Sequence, residues 1–166
     1  MNAENPLEIL KKAILLERRG NAFYRQAAES AGDVAVKQFF ESMAQEEVKH
    51  VDVLSAQYRN YMNEKRFDFQ PSGLKETDIA AKVLTEDLKG KITAAGFEAA
   101  AISAAMAMEE RAIKLYTERA AASSAPEEQA LYQWLADWEK EHLRILAAVD
   151  RALTESIWSD NRFWPF

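Results

Sequence analysis

Glu47-Val48-Lys49-His50 and Glu139-Lys140-Glu141-His142 put a glutamate three positions before each of the chain's two histidines, ninety-two residues apart. With 19 Glu among 166 residues, chance would place Glu there for both histidines in about one chain in a hundred. Residues three apart share one face of an α-helix, so each pair can present a carboxylate and an imidazole to one point. That donor set suits iron, manganese or zinc. One site can use both pairs only if the fold brings two helices side by side at the same level.

The rest of the chain favours such a fold. Glycine is scarce (5) and proline scarcer (4), against an abundance of Ala, Glu, Leu and Lys, a composition that prefers helices to strands. A length of 166 residues is enough for one domain with a sizeable core. The net charge of −6 speaks against nucleic-acid binding, which needs a basic face. No apolar run reaches the roughly 18 residues of a membrane span, and no signal peptide opens the chain. The absence of cysteine excludes disulfides, zinc ribbons and cysteine-ligated iron centres in this sequence, and fits a reducing cytoplasm.

Apolar periodicity predicts four long helices over about 6–30, 33–61, 93–122 and 126–154. Asn5 caps the first and Pro6 sits in its first turn, and Ala31-Gly32-Asp33 ends it and caps the second. Thr93 is the expected cap of the third, and Ser123-Ser124-Ala125-Pro126 the turn before the fourth. Residues 62–92 are too many for a hairpin loop and suit a crossover along a bundle, with a short amphipathic helix over 76–88. Residues 155–166 form an aromatic tail without clear periodicity, expected to cap the bundle or meet a second copy of the chain.

A shift of ninety-two residues aligns more than the two Glu-x-x-His pairs. Ala13, Glu17 and Tyr24 fall on Ala105, Glu109 and Tyr116; Ala44 and Leu54 fall on Ala136 and Leu146. Such self-similarity implies two copies of a helix hairpin. Glu17 lies 15 residues before Gly32 and Glu47 lies 15 after it, while Glu109 and Glu139 stand in the same relation to Ser124. At a rise of about 1.5 Å per residue, all four lie about 22 Å from their turns, at one level of the bundle. Four Glu and two His then share one layer: Glu17, Glu47, His50, Glu109, Glu139 and His142. This is the constellation of di-iron and di-manganese carboxylate bundles, and four carboxylates offset two divalent cations. Glu46 and Glu110 are alternative carboxylates, disfavoured by the register of Glu17 and Glu139. Tyr24 and Tyr116 can hydrogen-bond a ligand carboxylate or act as redox-active phenols; core packing with a nearby hydroxyl partner is the plainer reading. Met43, Met106, Met108, Trp134 and Trp138 read as packing.

On Ala13-x3-Glu17-x6-Tyr24, Glu47-x2-His50, Ala105-x3-Glu109-x6-Tyr116 and Glu139-x2-His142, the chain resembles the ferritin-like superfamily, and within it the rubrerythrin-like group. The resemblance implies an all-α, ferritin-like antiparallel four-helix bundle with a long helix 2 to helix 3 crossover. It implies a centre of two iron ions, with manganese or zinc as alternatives, bridged by Glu47 and Glu139. Terminal ligands would be Glu17, His50, Glu109 and His142. Rubrerythrins also carry a four-cysteine rubredoxin domain and an additional glutamate on the third helix. Here there is no cysteine, and Ala105, Met106, Ala112 and Ile113 flank Glu109 at three and four positions. Bacterioferritins place a haem-binding Met where this chain has Val48, so no haem is implied. The tail is short for the fifth helix of cage-forming ferritins, and a homodimer is the expected assembly.

The expected activity is that of an oxidoreductase that reduces hydrogen peroxide or O2 with oxidation of ferrous iron, recharged by an external electron donor. The alternatives are an iron-binding or iron-handling protein without turnover, and an interaction module that docks through its aromatic tail.

Overall fold

The computed structural model describes residues 5–71, 88, 91, 92 and 96–159, the last four by backbone alone. Among them are four helices and no strand: α1 (Pro6–Ser30), α2 (Val34–Glu64), α3 (Phe97–Ala122) and α4 (Pro126–Ser159). Asn5 caps α1 by accepting from the Leu7 N–H at 3.1 Å, and Pro6 occupies the first turn, where no N–H is needed. Asp33 caps α2 by accepting from the N–H groups of Ala35 and Val36. At the other hairpin, Arg119 reaches across to the nearly buried Glu128 at 2.6 Å, and the Ser123 hydroxyl donates to the same carboxylate.

Three boundaries differ from those expected. α2 continues three residues past Tyr61 and stops where Lys65 turns left-handed (φ 57°). α3 begins at Phe97 behind Gly96, which has no side chain to cap it; the expected cap, Thr93, lies outside the described residues. α4 runs on to Ser159, so the first five residues of the expected tail are helical. The remainder of that tail and the expected short helix at 76–88, apart from Leu88, lie outside the described residues.

Side-chain contacts give the helix directions. Tyr24 meets Glu109 while Glu17 meets Tyr116, so α1 and α3 run antiparallel. His50 meets Glu139 while His142 faces Glu47, so α2 and α4 also run antiparallel. The two hairpin turns are three residues each, which reverses α1 to α2 and α3 to α4. It follows that α2 and α3 point the same way, and the chain between them must travel back along the bundle. Gln57 ties down the start of that journey: it donates to the Asp68 carbonyl at 2.8 Å and accepts from the Asp68 N–H at 2.9 Å. This clamp seats Phe67 and Phe69 in the core.

The core is two apolar clusters with a polar layer between them. One gathers Tyr24, Phe39, Phe40, Met43, Ile102 and Leu146. The other gathers Leu10, Leu54, Phe67, Tyr116, Leu131 and Leu135. Each fully buried Leu or Phe contributes about 1.5–3 kcal/mol of hydrophobic stabilisation, so the two ends hold the layer between them in place. The layer is where the sequence places Glu17 and Glu47.

Candidate metal centre

Six side chains make the polar layer, and all are buried: Glu17 2%, Glu47 2%, His50 0%, Glu109 3%, Glu139 0% and His142 3% exposed. α1 delivers Glu17 and α3 delivers Glu109, while α2 and α4 each deliver two side chains one turn apart, Glu47 with His50 and Glu139 with His142. The six fall into two overlapping groups of donor atoms. Glu17, Glu47, His50 and Glu139 offer atoms within 4.8 Å of one another, and so do Glu47, Glu109, Glu139 and His142. Glu47 and Glu139 belong to both.

Both imidazoles turn Nδ1 into this layer. His50 Nδ1 lies 2.9 Å from Glu139, 3.1 Å from Glu17 and 3.5 Å from Glu47. His142 Nδ1 lies 3.1 Å from Glu139, 3.6 Å from Glu47 and 3.7 Å from Glu109. A single N–H satisfies one acceptor well, not three. Several carboxylates and a nitrogen lone pair converging on one point form a donor set that a divalent cation can satisfy all at once. The residues therefore fit a pair of metal ions.

The electrostatics carry the same message. Burial pushes the Glu47 carboxyl well above the usual carboxylate range, and Glu139 and Glu17 push it further. Burial raises Glu109 to about 7, with Glu139 adding to the effect and His142 opposing it. Burial alone lowers an imidazole, but here the carboxylates override it. Glu109 and Glu139 lift His142 to about 9, and Glu139 above all lifts His50 well above its ordinary value. Burial would raise Glu139 too, yet His50 and His142 on either side hold it well below the usual range. In metal-free protein this layer therefore balances its charge with protons, which cations would displace.

Around the layer, Tyr24 donates its hydroxyl to Glu109 Oε1 and Tyr116 donates to Glu17 Oε1. Both phenols are fully buried, and burial first, then the neighbouring carboxylates, raises their pKa well above 10. They stay protonated donors. Packing alone thus does not describe them: each orients a carboxylate carried by the opposite hairpin. Trp134 and Trp138 stand edge-on to the His50 ring, with centroids at 5.8 and 5.2 Å, and Phe69 lies against Trp134. Of the alternative carboxylates, Glu110 is exposed, and Glu46 is buried but pairs with Lys49 at 2.7 Å outside both donor groups. Met43 is buried in the core and Met106 packs partly buried against it.

The chain matches the rubrerythrin family over residues 8–149, which reaches into all four helices and takes in all six residues of the layer. It belongs to that family. No match is found among curated proteins. The fold is similar to that of a hypothetical protein from Pyrococcus furiosus, 24% identical over 92% of each chain with a TM-score of 0.65. Membership in a family of di-iron carboxylate proteins agrees with the layer of clustered Glu and His that could hold metal. No helix among the described residues is long and apolar enough to cross a membrane.

Two residues that the periodicity does not single out shape this rubrerythrin-family site. Gly20 sits in the interior of α1 against Glu47, and the one available signal is that an isolated glycine inside a helical pattern needs a reason. Gln57, through Asp68, seats the crossover segment that places Phe69 on Trp134; nothing in the sequence marks it.

Proposed function

We propose that this chain is a di-iron oxidoreductase that reduces hydrogen peroxide or O2 while ferrous iron is oxidised. The observation that carries the reading is the sharing of Glu47 and Glu139 between two four-donor groups. Glu47 and Glu139 would bridge the ions, Glu17 and His50 would complete one site, and Glu109 and His142 the other. A bound ferrous pair supplies electrons and Lewis acidity to a small oxidant. Four carboxylates would neutralise two divalent cations, and each imidazole would bind through Nδ1, the nitrogen that faces the layer. The Tyr24 and Tyr116 hydroxyls hold Glu109 and Glu17 in orientation, as outer partners of metal ligands commonly do. The apolar clusters above and below keep bulk water from the layer. Manganese or zinc would fit the same donors.

With no cysteine-ligated iron in the chain, electrons would come from an external donor in a reducing cytoplasm, and a homodimer is the proposed assembly. A second reading, iron binding without turnover, is favoured by the depth of the site, since none of the six donors is more than 3% exposed. The discriminating experiment loads anaerobic protein with two ferrous ions and adds peroxide. Rapid consumption that disappears in Glu47→Ala and Glu139→Ala supports the oxidoreductase. Two tightly held ions with no spectral response to peroxide or O2 support the second reading.

A further inference from the structure

We infer that Gly20 is a positioning residue for the centre: its missing side chain is what lets Glu47 stand between the two donor groups. The inference rests on the reading of Glu47 as a shared ligand. Gly20 lies in the interior of α1, a place where glycine is the poorest helix former after proline, and its backbone is helical. Conformational freedom is therefore not what the position needs. A Cβ built there would lie 3.2 Å from Glu47 Cδ, 3.4 Å from Glu47 Oε2 and 3.5 Å from Glu47 Cγ, so its three nearest neighbours all belong to one side chain. The first of these approaches is tighter than packed carbons ordinarily tolerate, and one partner would have to move by a few tenths of an ångström. Glu47 has little room to give. Its carboxylate faces His50 at 3.5 Å and His142 at 3.6 Å and sits within both donor groups. A metal site tolerates ligand displacements of only about 0.2 Å.

The same turn of α1 thus does two jobs. Glu17 supplies a donor, and Gly20, three residues on and on the same face, makes space for the donor from α2. The repeat shows that the requirement is local. Ninety-two residues after Gly20 stands Ala112, buried at 5% with its methyl group in place, so the α3–α4 hairpin accommodates the Cβ that the α1–α2 hairpin excludes. The two halves of the site are not equivalent, and the constrained half is the one that carries Glu47.

The test is metal binding by Gly20→Ala, with Ala112→Gly as its control. Purified full-length chains, stripped by chelator, are titrated anaerobically with Fe2+ and with Co2+, whose absorption reports coordination geometry. Wild type is expected to take two ions. Gly20→Ala should bind at least about tenfold more weakly, the scale seen when residues behind metal ligands are altered, with a shifted Co2+ spectrum. Its metal-free form should melt within a few degrees of wild type, because alanine's better helix propensity offsets the small displacement of a Glu47 that no ion then fixes in place. A residue with a merely structural role would do the reverse, lowering the metal-free melting temperature and leaving the spectrum alone. Ala112→Gly should leave affinity unchanged within about twofold. Equal affinity and spectrum in wild type and Gly20→Ala would overturn the role of Gly20 while leaving the shared-ligand reading intact. No metal uptake by wild type would overturn both.

Discussion

The overlap of the two donor groups makes a quantitative prediction about which carboxylates matter to one ion and which to both. Glu17 and Glu109 each belong to one group, whereas Glu47 and Glu139 belong to both. An ion held at a free concentration about a thousand times its Kd stabilises the fold by about 4 kcal/mol. For 166 residues the entropy of unfolding is about 0.35 kcal/mol/K, so each occupied site raises the melting temperature by about 12 °C. Loaded wild type should therefore melt about 24 °C above the chelated protein. Glu17→Gln and Glu109→Gln should keep about half of that increment and one ion. Glu47→Gln and Glu139→Gln should keep almost none. The metal-free arms separate the last two variants. Burial favours the neutral form of Glu47, which glutamine mimics, so chelated Glu47→Gln should melt close to chelated wild type. Glu139 is held ionised by two imidazoles, so chelated Glu139→Gln should melt several degrees lower. Differential scanning calorimetry with parallel metal analysis reads both quantities. If Glu47→Gln and Glu17→Gln retain the same number of ions, the bridging geometry is refuted.

Tyr24→Phe and Tyr116→Phe should each weaken binding about 10–100-fold without changing its stoichiometry, the first at the Glu109 site and the second at the Glu17 site, as read by titration calorimetry. The metal-free protein should lose stability as pH rises through about 7 and then about 9. Glu109 is raised from 4.5 to about 7 and His142 from 6.5 to about 9, so the contribution of each is complete below its unfolded value and lost above its folded one. Metal uptake should accordingly release protons and tighten from pH 6 to 9, measured by calorimetry in buffers of different ionisation enthalpy; pH-independent uptake would contradict it. Gln57→Ala leaves the Asp68 N–H and carbonyl without their side-chain partner and should cost about 1–3 kcal/mol, seen as a lower denaturant midpoint with altered Trp134 fluorescence.

How much of this was legible beforehand depends on whether a feature is periodic. Glu17 is visible because the ninety-two-residue shift sets it on Glu109 and its distance to Gly32 matches that of Glu47, and the structure buries it. The common level of the four glutamates followed from equal spacing to the turns, since helical rise converts residue number directly into distance. Helix ends were less legible where the signal was a lone residue: Thr93 looked like a cap, but α3 starts behind Gly96. α4 overran Thr154 to Ser159 because nothing at that point breaks a helix.

The sequence by itself determined the inventory of the centre: which carboxylates and imidazoles exist, on which helices, and at what height along the bundle. Only the tertiary structure decided how they share space. The family resemblance already implied that Glu47 and Glu139 are shared, and the long crossover already implied that α2 and α3 point the same way; that each tyrosine reaches the glutamate of the opposite hairpin depends on how one hairpin is placed against the other. Gly20 shows the reason most directly. Periodicity describes where a side chain points along its own helix, whereas the need for a missing one arises only where another helix approaches to within 3.2 Å.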